Sequence, residues 1–509
     1  MEKSIPLAAI GDKPIPGSQD GDATSGSPIK EQDQPRRLFS ISQLFAFSLT
    51  YMSLWNSYFA LYNGGPASLF FNFIIVMIGA MAQAASIGEM ASMQPIAGAQ
   101  YHWTWYLAPP KFRRFTTWVQ GWSTWFGYIS LLAGIANSSI VILESIISLN
   151  YEDYKKGGWH TSVLVIGLVF VQAVVNIYSF KLVIWFELLD GILHCVLFVV
   201  FIVVLPAIGT RNGPEFFVST NISSGYSESP FIAWNVGMLS CVWIFTGFDS
   251  VIHMSEETRA AKQAVPRAMF WSIVMNGTMG FVIAVVFLVA MGTVEDALNA
   301  PSIVVGVLMQ VTGSKSATTA MMTGIFIGAF GSNLASIASV SRLTWAWARD
   351  GGLPKYFGHV DHKTRIPLRA VVLTVFLLCS LCLLIIGSET YVVFGAIMSL
   401  SSLALYLSYA IAISSMLWSR FFKPDLEFGQ WNLGRKGLFI NIYALVYTLW
   451  AMVFLPFPTT IPVDATTMNH CGPMMGLVLV VAIGLWFLNA RKHWAGPNVT
   501  IIDFVMRNS

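Results

Sequence analysis

Charge is what this sequence has least of. Asp, Glu, Lys and Arg make up 11% of its 509 residues, where a soluble globular chain carries about a quarter. With 55% hydrophobic residues and a mean hydropathy of +0.63, that scarcity excludes an ordinary soluble protein and implies one domain embedded in a lipid bilayer. A formal net charge of only +3 gives no reason to expect a nucleic-acid partner. The five cysteines, Cys195, Cys241, Cys379, Cys382 and Cys471, form no paired framework and lie mostly in apolar runs, where a thiol acts as a small hydrophobe. Missing too are phosphate-binding Gly-Lys loops, His and Cys clusters with zinc spacing, and nucleophile elbows. The sequence therefore predicts no cofactor, no metal and no enzyme, and it argues against an ATP-driven pump.

What is present is a series of long apolar runs. Residues 1–38, rich in Pro, Gly, Ser and Asp, read as a disordered tail with little to bury. The first long apolar run begins only near Phe39, too late for a cleavable signal peptide, so the first span acts as its own insertion signal. From there stretches of about 20 residues, enough to cross a hydrocarbon core as helix, recur at 42–63, 67–92, 116–149, 161–178, 182–207, 231–254, 268–292, 317–345, 368–387, 390–418, 437–457 and 472–490. The third, eighth and tenth are long enough to tilt or protrude. None alternates in polarity as a barrel strand does, so an all-α membrane protein of about twelve transmembrane helices is predicted. The transporter-sized domain spans 39–490, and 491–509 form a short C-terminal tail.

Basic residues orient the bundle. With the N-terminus in the cytosol, 25 of the 29 Lys and Arg fall on the inner side, leaving only Lys155, Lys156, Arg211 and Lys315 outside. This is a strong positive-inside bias and places both termini in the cytosol. Of the Asn-x-Ser/Thr sequons, only Asn221-Ile222-Ser223 falls in a sizeable outer loop, which makes Asn221 the glycosylation candidate.

Residues that a lipid-facing helix avoids mark the working parts. The first span carries Ser48, Thr50, Tyr51, Ser53, Trp55 and Asn56 before Asn63-Gly64-Gly65-Pro66, and such groups need other helices, water or a ligand. The sixth contains Trp243-Ile244-Phe245-Thr246-Gly247-Phe248-Asp249. A Gly that loosens the helix beside a Thr and an Asp is what a discontinuous helix offers a substrate or ion, although Asp249 capping the second half-helix explains the same residues. The fifth carries Glu187, Asp190 and His194 on one helical face, with Asp190 and His194 spaced to pair directly and to relay a proton. Small residues in the eighth span, Gly324, Gly328, Gly331, Ser332, Ser336 and Ser339, read as a close-packing face, with cation coordination by Ser336 and Ser339 as the alternative.

Three stretches resemble a known family. Glu89-Met-Ala-Ser-Met-Gln-Pro95-Ile-Ala-Gly98-Ala-Gln100-Tyr101-His-Trp103 closes the second span. Phe245 to Asp249 is followed by Ser255-Glu256-Glu257-Thr258 and Ala264-Val265-Pro266-Arg267-Ala268, and Ser341-Arg342-Leu343-Thr344-Trp345-Ala346-Trp347-Ala348-Arg349-Asp350-Gly351-Gly352-Leu353-Pro354 ends the eighth. Together these resemble the fungal amino acid/choline transporter branch of the amino acid-polyamine-organocation superfamily of permeases. The resemblance implies five helices repeated in inverted topology plus two extra helices, with the first and sixth broken at the midplane, in agreement with the polar first and sixth spans. It sets Trp243 where relatives carry an aromatic gate, and His194 where several relatives carry a fifth-helix Lys that replaces a sodium ion.

One departure bears on the substrate. Amino-acid transporters of the superfamily commonly break the first helix at Gly-x-Gly, whose bare amides hold a carboxylate, and here the matching stretch is Thr50-Tyr51-Met52-Ser53. Trp55, Trp243 and Phe248 offer aromatic faces to a cationic amine instead. The sequence thus predicts a proton-coupled secondary transporter, working by alternating access on a small amine-bearing solute such as an amino acid, choline or polyamine. Its substrate site is expected at Thr50, Tyr51, Ser53, Trp55, Trp243, Thr246, Gly247, Phe248 and Asp249, with Asp190 and His194 for the proton. A carrier of a specialised-metabolite intermediate or product, such as an alkaloid, and a transporter-like nutrient receptor are the alternatives. The expected location is the plasma membrane, or an internal membrane such as the vacuolar one.

Overall fold

In a hydrocarbon environment every backbone N–H and C=O must be satisfied within the segment, so the apolar runs fold as helices. The computed structural model describes residues 37–50, 60–155, 157–209, 211–299, 302–387, 390–464 and 468–498. In chain order its helices are α1 (Ile41–Thr50), α2 (Gly65–Met93), α3 (Gln100–Leu107), α4 (Arg113–Asn150), α5 (Gly158–Tyr178), α6 (Phe180–Ile208), α7 (Pro230–Phe245), α8 (Ala261–Ala290), α9 (Val294–Asn299), α10 (Ile303–Thr312), α11 (Lys315–Arg349), α12 (Leu368–Leu383), α13 (Thr390–Phe422), α14 (Gly437–Phe454) and α15 (Cys471–Leu485). There is no β-strand among the described residues, only isolated bridges joining Phe39 to Thr258 and Asn63 to Ile222.

Eleven of these segments are long and apolar enough to cross a membrane, and they fall on the expected second to twelfth spans. The first span is represented by α1, which ends at Thr50, and the stretch that follows lies outside the described residues. The long third, eighth and tenth spans are α4, α11 and α13, with 38, 35 and 33 residues. Sequence patterning missed three shorter helices. The ten residues of α10 are too few to span, α9 is shorter still, and α3 continues directly from the motif that closes α2.

Burial sorts the helices into an inner and an outer set. In α4 and α13, 78% of the apolar window is buried, against 17% in α6 and 28% in α15. The outer faces of α5, α6, α12, α14 and α15 carry exposed residues such as Phe170, Trp185, Phe376, Phe439 and Val480, as helices facing lipid do. Inside, α2 packs on α8 and α4 on both α11 and α13. Contacts also recur in exchanged form: α1 lies on α8 while α7 lies on α2, and α6 lies on α11 while α13 lies on α4.

Both ends of the described chain meet on one face. Leu38 and Phe39 donate their backbone N–H to the Glu257 carbonyl at 2.9 and 3.1 Å. At the other end the Trp494 indole N–H donates to the Asp350 carbonyl at 2.8 Å, and the Asn498 N–H to Asp350 Oδ1 at 3.2 Å. Of the tail read as 1–38, only Arg37 and Leu38 are described.

Candidate functional site

The sixth span breaks where Gly247 stands. Helix α7 stops at Phe245, Thr246 is extended, and Gly247 takes φ 82° and ψ 14°, a left-handed conformation that costs a side-chain-bearing residue and little for Gly. The chain then continues as a ten-residue 3-10 helix, Phe248–Glu257. Such runs are usually three or four residues and often mark a hinge. Thr246 closes the first half by donating to the Val242 carbonyl at 2.9 Å and lies 3.1 Å from the Ser402 hydroxyl of α13.

Around the break Trp243, Phe248 and Asp249 contact α4, α13 and α3. The Trp243 indole is pressed over Gly134 of α4, where an added Cβ would come within 2.8 Å of the ring. Phe248 lies against Tyr409 of α13, with ring centroids 5.4 Å apart. Asp249 is fully buried, and its two carboxylate oxygens accept from the Tyr409 hydroxyl and the Gln100 side-chain amide. It thereby ties the second half of the sixth span to α13 and α3 rather than standing open to solvent. Thr50, the last described residue of α1, donates its hydroxyl to Glu187 Oε2 of α6 at 2.7 Å. Tyr51, Ser53 and Trp55 lie outside the described residues.

On α6 the three polar side chains share a stretch but not a partner. Among the described residues no ion pair joins Asp190 to His194, although their spacing permits one. Glu187 faces Thr50 of α1, Asp190 faces Gly328 and Gly331 of α11, and His194 approaches Asn276 of α8. Among the described residues, both Asp190 oxygens and Glu187 Oε1 are buried without a hydrogen-bond partner. The neighbouring helices, not the i to i+4 register, decide where each group points. The small-residue face of α11 is a packing face at Gly324, which meets Leu197 of α6, and at the two glycines that meet Asp190. Ser336 and Ser339 spend their hydroxyls on the carbonyls of Ser332, at 2.6 Å, and Ser250, at 2.8 Å.

A second polar centre went unread in the sequence. The end of α11 holds Arg342 Nε 2.7 Å from Glu257 Oε1, and Arg349 forks onto both oxygens of Glu256 at 3.0 and 3.1 Å, the paired geometry that makes guanidinium–carboxylate contacts strong. Glu256 Oε1 also accepts the Ala97 N–H at 3.2 Å. Beside them, Asp350 Oδ2 lies 2.7 Å from the Tyr101 hydroxyl and 2.8 Å from His102 Nε2. Burial pushes the Asp350 carboxyl up, but His102, Arg349 and Tyr101 outweigh it and hold it below the ordinary Asp range. The three motif stretches that carried the family resemblance thus converge in one buried ionic network. Gln100, Tyr101, Arg349 and Asp350 were visible inside those motifs, whereas nothing in the sequence singled out Tyr409.

Asn221 sits in the loop between α6 and α7, half-buried, and its carbonyl accepts the Gly64 N–H at 2.8 Å. The 29 residues of α6 separate it from the ionic network by about 44 Å of helix, so it belongs to the opposite face.

Comparison with known proteins places this architecture. The family described as Amino acid permease matches residues 39–483. Amino-acid permease 2 of Neurospora crassa is 28% identical, with 91% of this chain and 86% of the relative covered. The choline transporter of Saccharomyces cerevisiae is 27% identical, with 85% and 77% covered. Among solved structures, a Na+-coupled sialic acid symporter in a substrate-bound outward-open state superposes with a TM-score of 0.51 at 12% identity, covering 84% of this chain and 92% of the other. At that identity the likeness is one of fold.

Proposed function

The chain belongs to the amino acid permease family and is a membrane transporter, and from that premise we propose that it moves a small amine-bearing solute by alternating access, driven by protons. The observation that carries this reading is the interruption at Thr246–Gly247, a break inside a spanning segment flanked by Trp243, Phe248 and Asp249. Broken helices free backbone groups at membrane depth for a substrate, and aromatic faces attract a desolvated cationic amine by roughly 1–2 kcal/mol each. The absence of Gly-x-Gly at Thr50-Tyr51-Met52-Ser53 favours a cargo that does not depend on bare amides for a carboxylate, such as choline or a polyamine, over an ordinary amino acid. Relatives described as amino-acid permeases and as a choline transporter are consistent with that range.

Proton drive rests on α6. Glu187 and Asp190 are buried one turn apart, and no Lys or Arg among the described residues pairs with either. Two ionised carboxylates so placed repel each other in a weakly screened setting, and a proton relieves that without any further ligand. Through Thr50 the Glu187 carboxyl also reaches the first span, so a proton gained or lost there is felt at the expected substrate site. The exchanged packing of α1 on α8 and α7 on α2 supports an inverted five-plus-five repeat, the architecture in which two bundles rock about a central site. The ionic network on Asp350, Glu256 and Glu257 is then the closure that opens on the cytosolic side.

Purified protein in sealed vesicles tests the proposal. Labelled choline, polyamines and amino acids are offered with and without an imposed pH gradient. Accumulation of an amine that stops when the gradient is collapsed is the expected result. An unchanged rate removes the proton claim, and no accumulation of any of the three classes removes the substrate claim.

A further inference from the structure

A cavity of about 370 Å³ opens beside the start of α6, walled by Tyr178 to Leu182, Glu257, Arg342 and the loop before α12. It touches the sixth span only at its last residue, Glu257, and its wall includes neither the Thr246–Gly247 break nor Asp190. Its wall holds four cations, Lys181, Arg342, Lys363 and Arg365, against one carboxylate, Glu257. Arg342 is spent on that carboxylate at 2.7 Å and lies over the Phe180 ring. Among the described residues no carboxylate pairs with Lys181, Lys363 or Arg365. The nearest acid in sequence, Asp361, accepts the N–H groups of Lys363 and Thr364 on Oδ1 at 3.0 and 2.8 Å, which holds the loop folded. At the opposite wall α6 begins with no side-chain cap on Ser179, so the positive end of a 29-residue helix adds to the field.

Three cations with no carboxylate partner among the described residues call for a polyanion, and the surroundings decide which kind. Tyr178 and Leu182, in the cavity wall, are 80% and 55% exposed, and from Leu182 an exposed apolar stripe runs along α6 through Trp185, Leu189 and Ile192. These residues are spaced by three or four and so lie along one helix face. A soluble anion has no use for that stripe. An acyl chain does, and basic pockets at the cytosolic edge of spanning helices are suited to phosphorylated headgroups. We propose that this cavity binds the phosphate-bearing headgroup of an anionic membrane lipid, with its acyl chain laid along the exposed face of α6. Because Glu257 and Arg342 form the inner wall, occupancy braces the junction between the sixth span and α11.

The full chain in nanodiscs tests this, using phosphatidylcholine alone or with a minor fraction of phosphatidylinositol phosphate, and reading lipid retention by native mass spectrometry and the thermal midpoint. Wild type is expected to retain the phosphorylated lipid and to unfold at a higher temperature with it. Lys181→Gln/Lys363→Gln/Arg365→Gln is expected to bind it on the order of 100-fold more weakly, each surface cation contributing roughly a fivefold factor, with an unchanged midpoint in phosphatidylcholine alone. The matched variant Lys355→Gln/Arg435→Gln/Lys436→Gln is expected to bind normally. Should the first triple variant not assemble, Lys363→Gln, on an exposed loop, is expected to weaken binding about fivefold. Equal retention of both lipids by wild type overturns the proposal, as does equal loss in the two triple variants. Soluble inositol phosphate binding as tightly as the lipid overturns it in favour of a free-anion site.

Discussion

The Thr50 hydroxyl donates to Glu187 Oε2 at 2.7 Å across the junction of α1 and α6. Both side chains are buried. The bond joins the end of the described first span to the helix that carries Asp190.

Glu187→Gln keeps an acceptor for Thr50 and removes the charge. It is expected to leave ligand binding within a few-fold of wild type while abolishing the response of uptake to an imposed pH gradient, as is Asp190→Asn. Vesicle uptake against substrate-induced thermal shift separates the two effects, and gradient-driven uptake by both variants would exclude these carboxyls from coupling.

Gly331 leaves no room for a methyl group beside the Asp190 carboxylate. Gly331→Ala is expected to destabilise the protein by about 1–3 kcal/mol through overpacking. Because the obstruction is the Asp190 side chain, adding Asp190→Ala should recover at least half of that loss. A double-mutant cycle from unfolding in detergent measures the coupling; strict additivity would show that the two residues do not oppose each other.

Asp249→Asn removes the charge, and one of the two carboxylate oxygens, that accept from Gln100 and Tyr409. Losing a buried charge-assisted bond costs about 1.5–3 kcal/mol, enough to free the second half of the sixth span. Transport is expected to fall at least tenfold, with the variant still present in the membrane. Tyr409→Phe, which removes one donor and no charge, should give a smaller loss of the same kind.

Asp350 predicts how the C-terminal segment responds to acid. Its carboxyl is held below the ordinary value of 3.8 in the folded protein, so its contribution to stability is fully present above that value and is lost as the pH falls through its lower folded value. Exchange of the Asn498 amide hydrogen, which is bonded to Asp350 Oδ1, should therefore stay slow from neutral pH down to 3.8 and quicken only below it, once the intrinsic pH dependence of exchange is subtracted. Asp350→Ala strands Tyr101, His102 and that amide, and is expected to cost roughly 3–5 kcal/mol and to speed exchange at neutral pH.

Asn221 tests the orientation. Expressed in a glycosylating host, the protein should migrate faster after glycosidase treatment and Asn221→Gln should abolish the shift, which sets the loop between α6 and α7 outside and the Asp350 face in the cytosol. A shift that persists in Asn221→Gln points to another sequon.

Much of the fold is carried by local pattern. An apolar run of about 20 residues has only one way to satisfy its backbone in lipid, so the second to twelfth spans could be drawn from the sequence, and Gly247 announced the break because its conformation is a property of one residue. The family could be read from three motifs. What the sequence left undecided is which polar group meets which. Asp249 is 149 residues from Gln100 and 160 from Tyr409, and Glu187 is 137 from Thr50. Even Asp190 and His194, four apart on one helix, part company because α11 and α8 take one each. Scarcity of charge, visible in composition alone, determined that this chain lives in a bilayer and that its few buried ionisable groups carry a cost unless they are partnered or neutral. Which partner was decided only by the packing of helices distant in sequence, because a buried charge is satisfied by whatever the tertiary fold brings within bonding distance, and neighbouring residues on its own helix have no privileged claim to it.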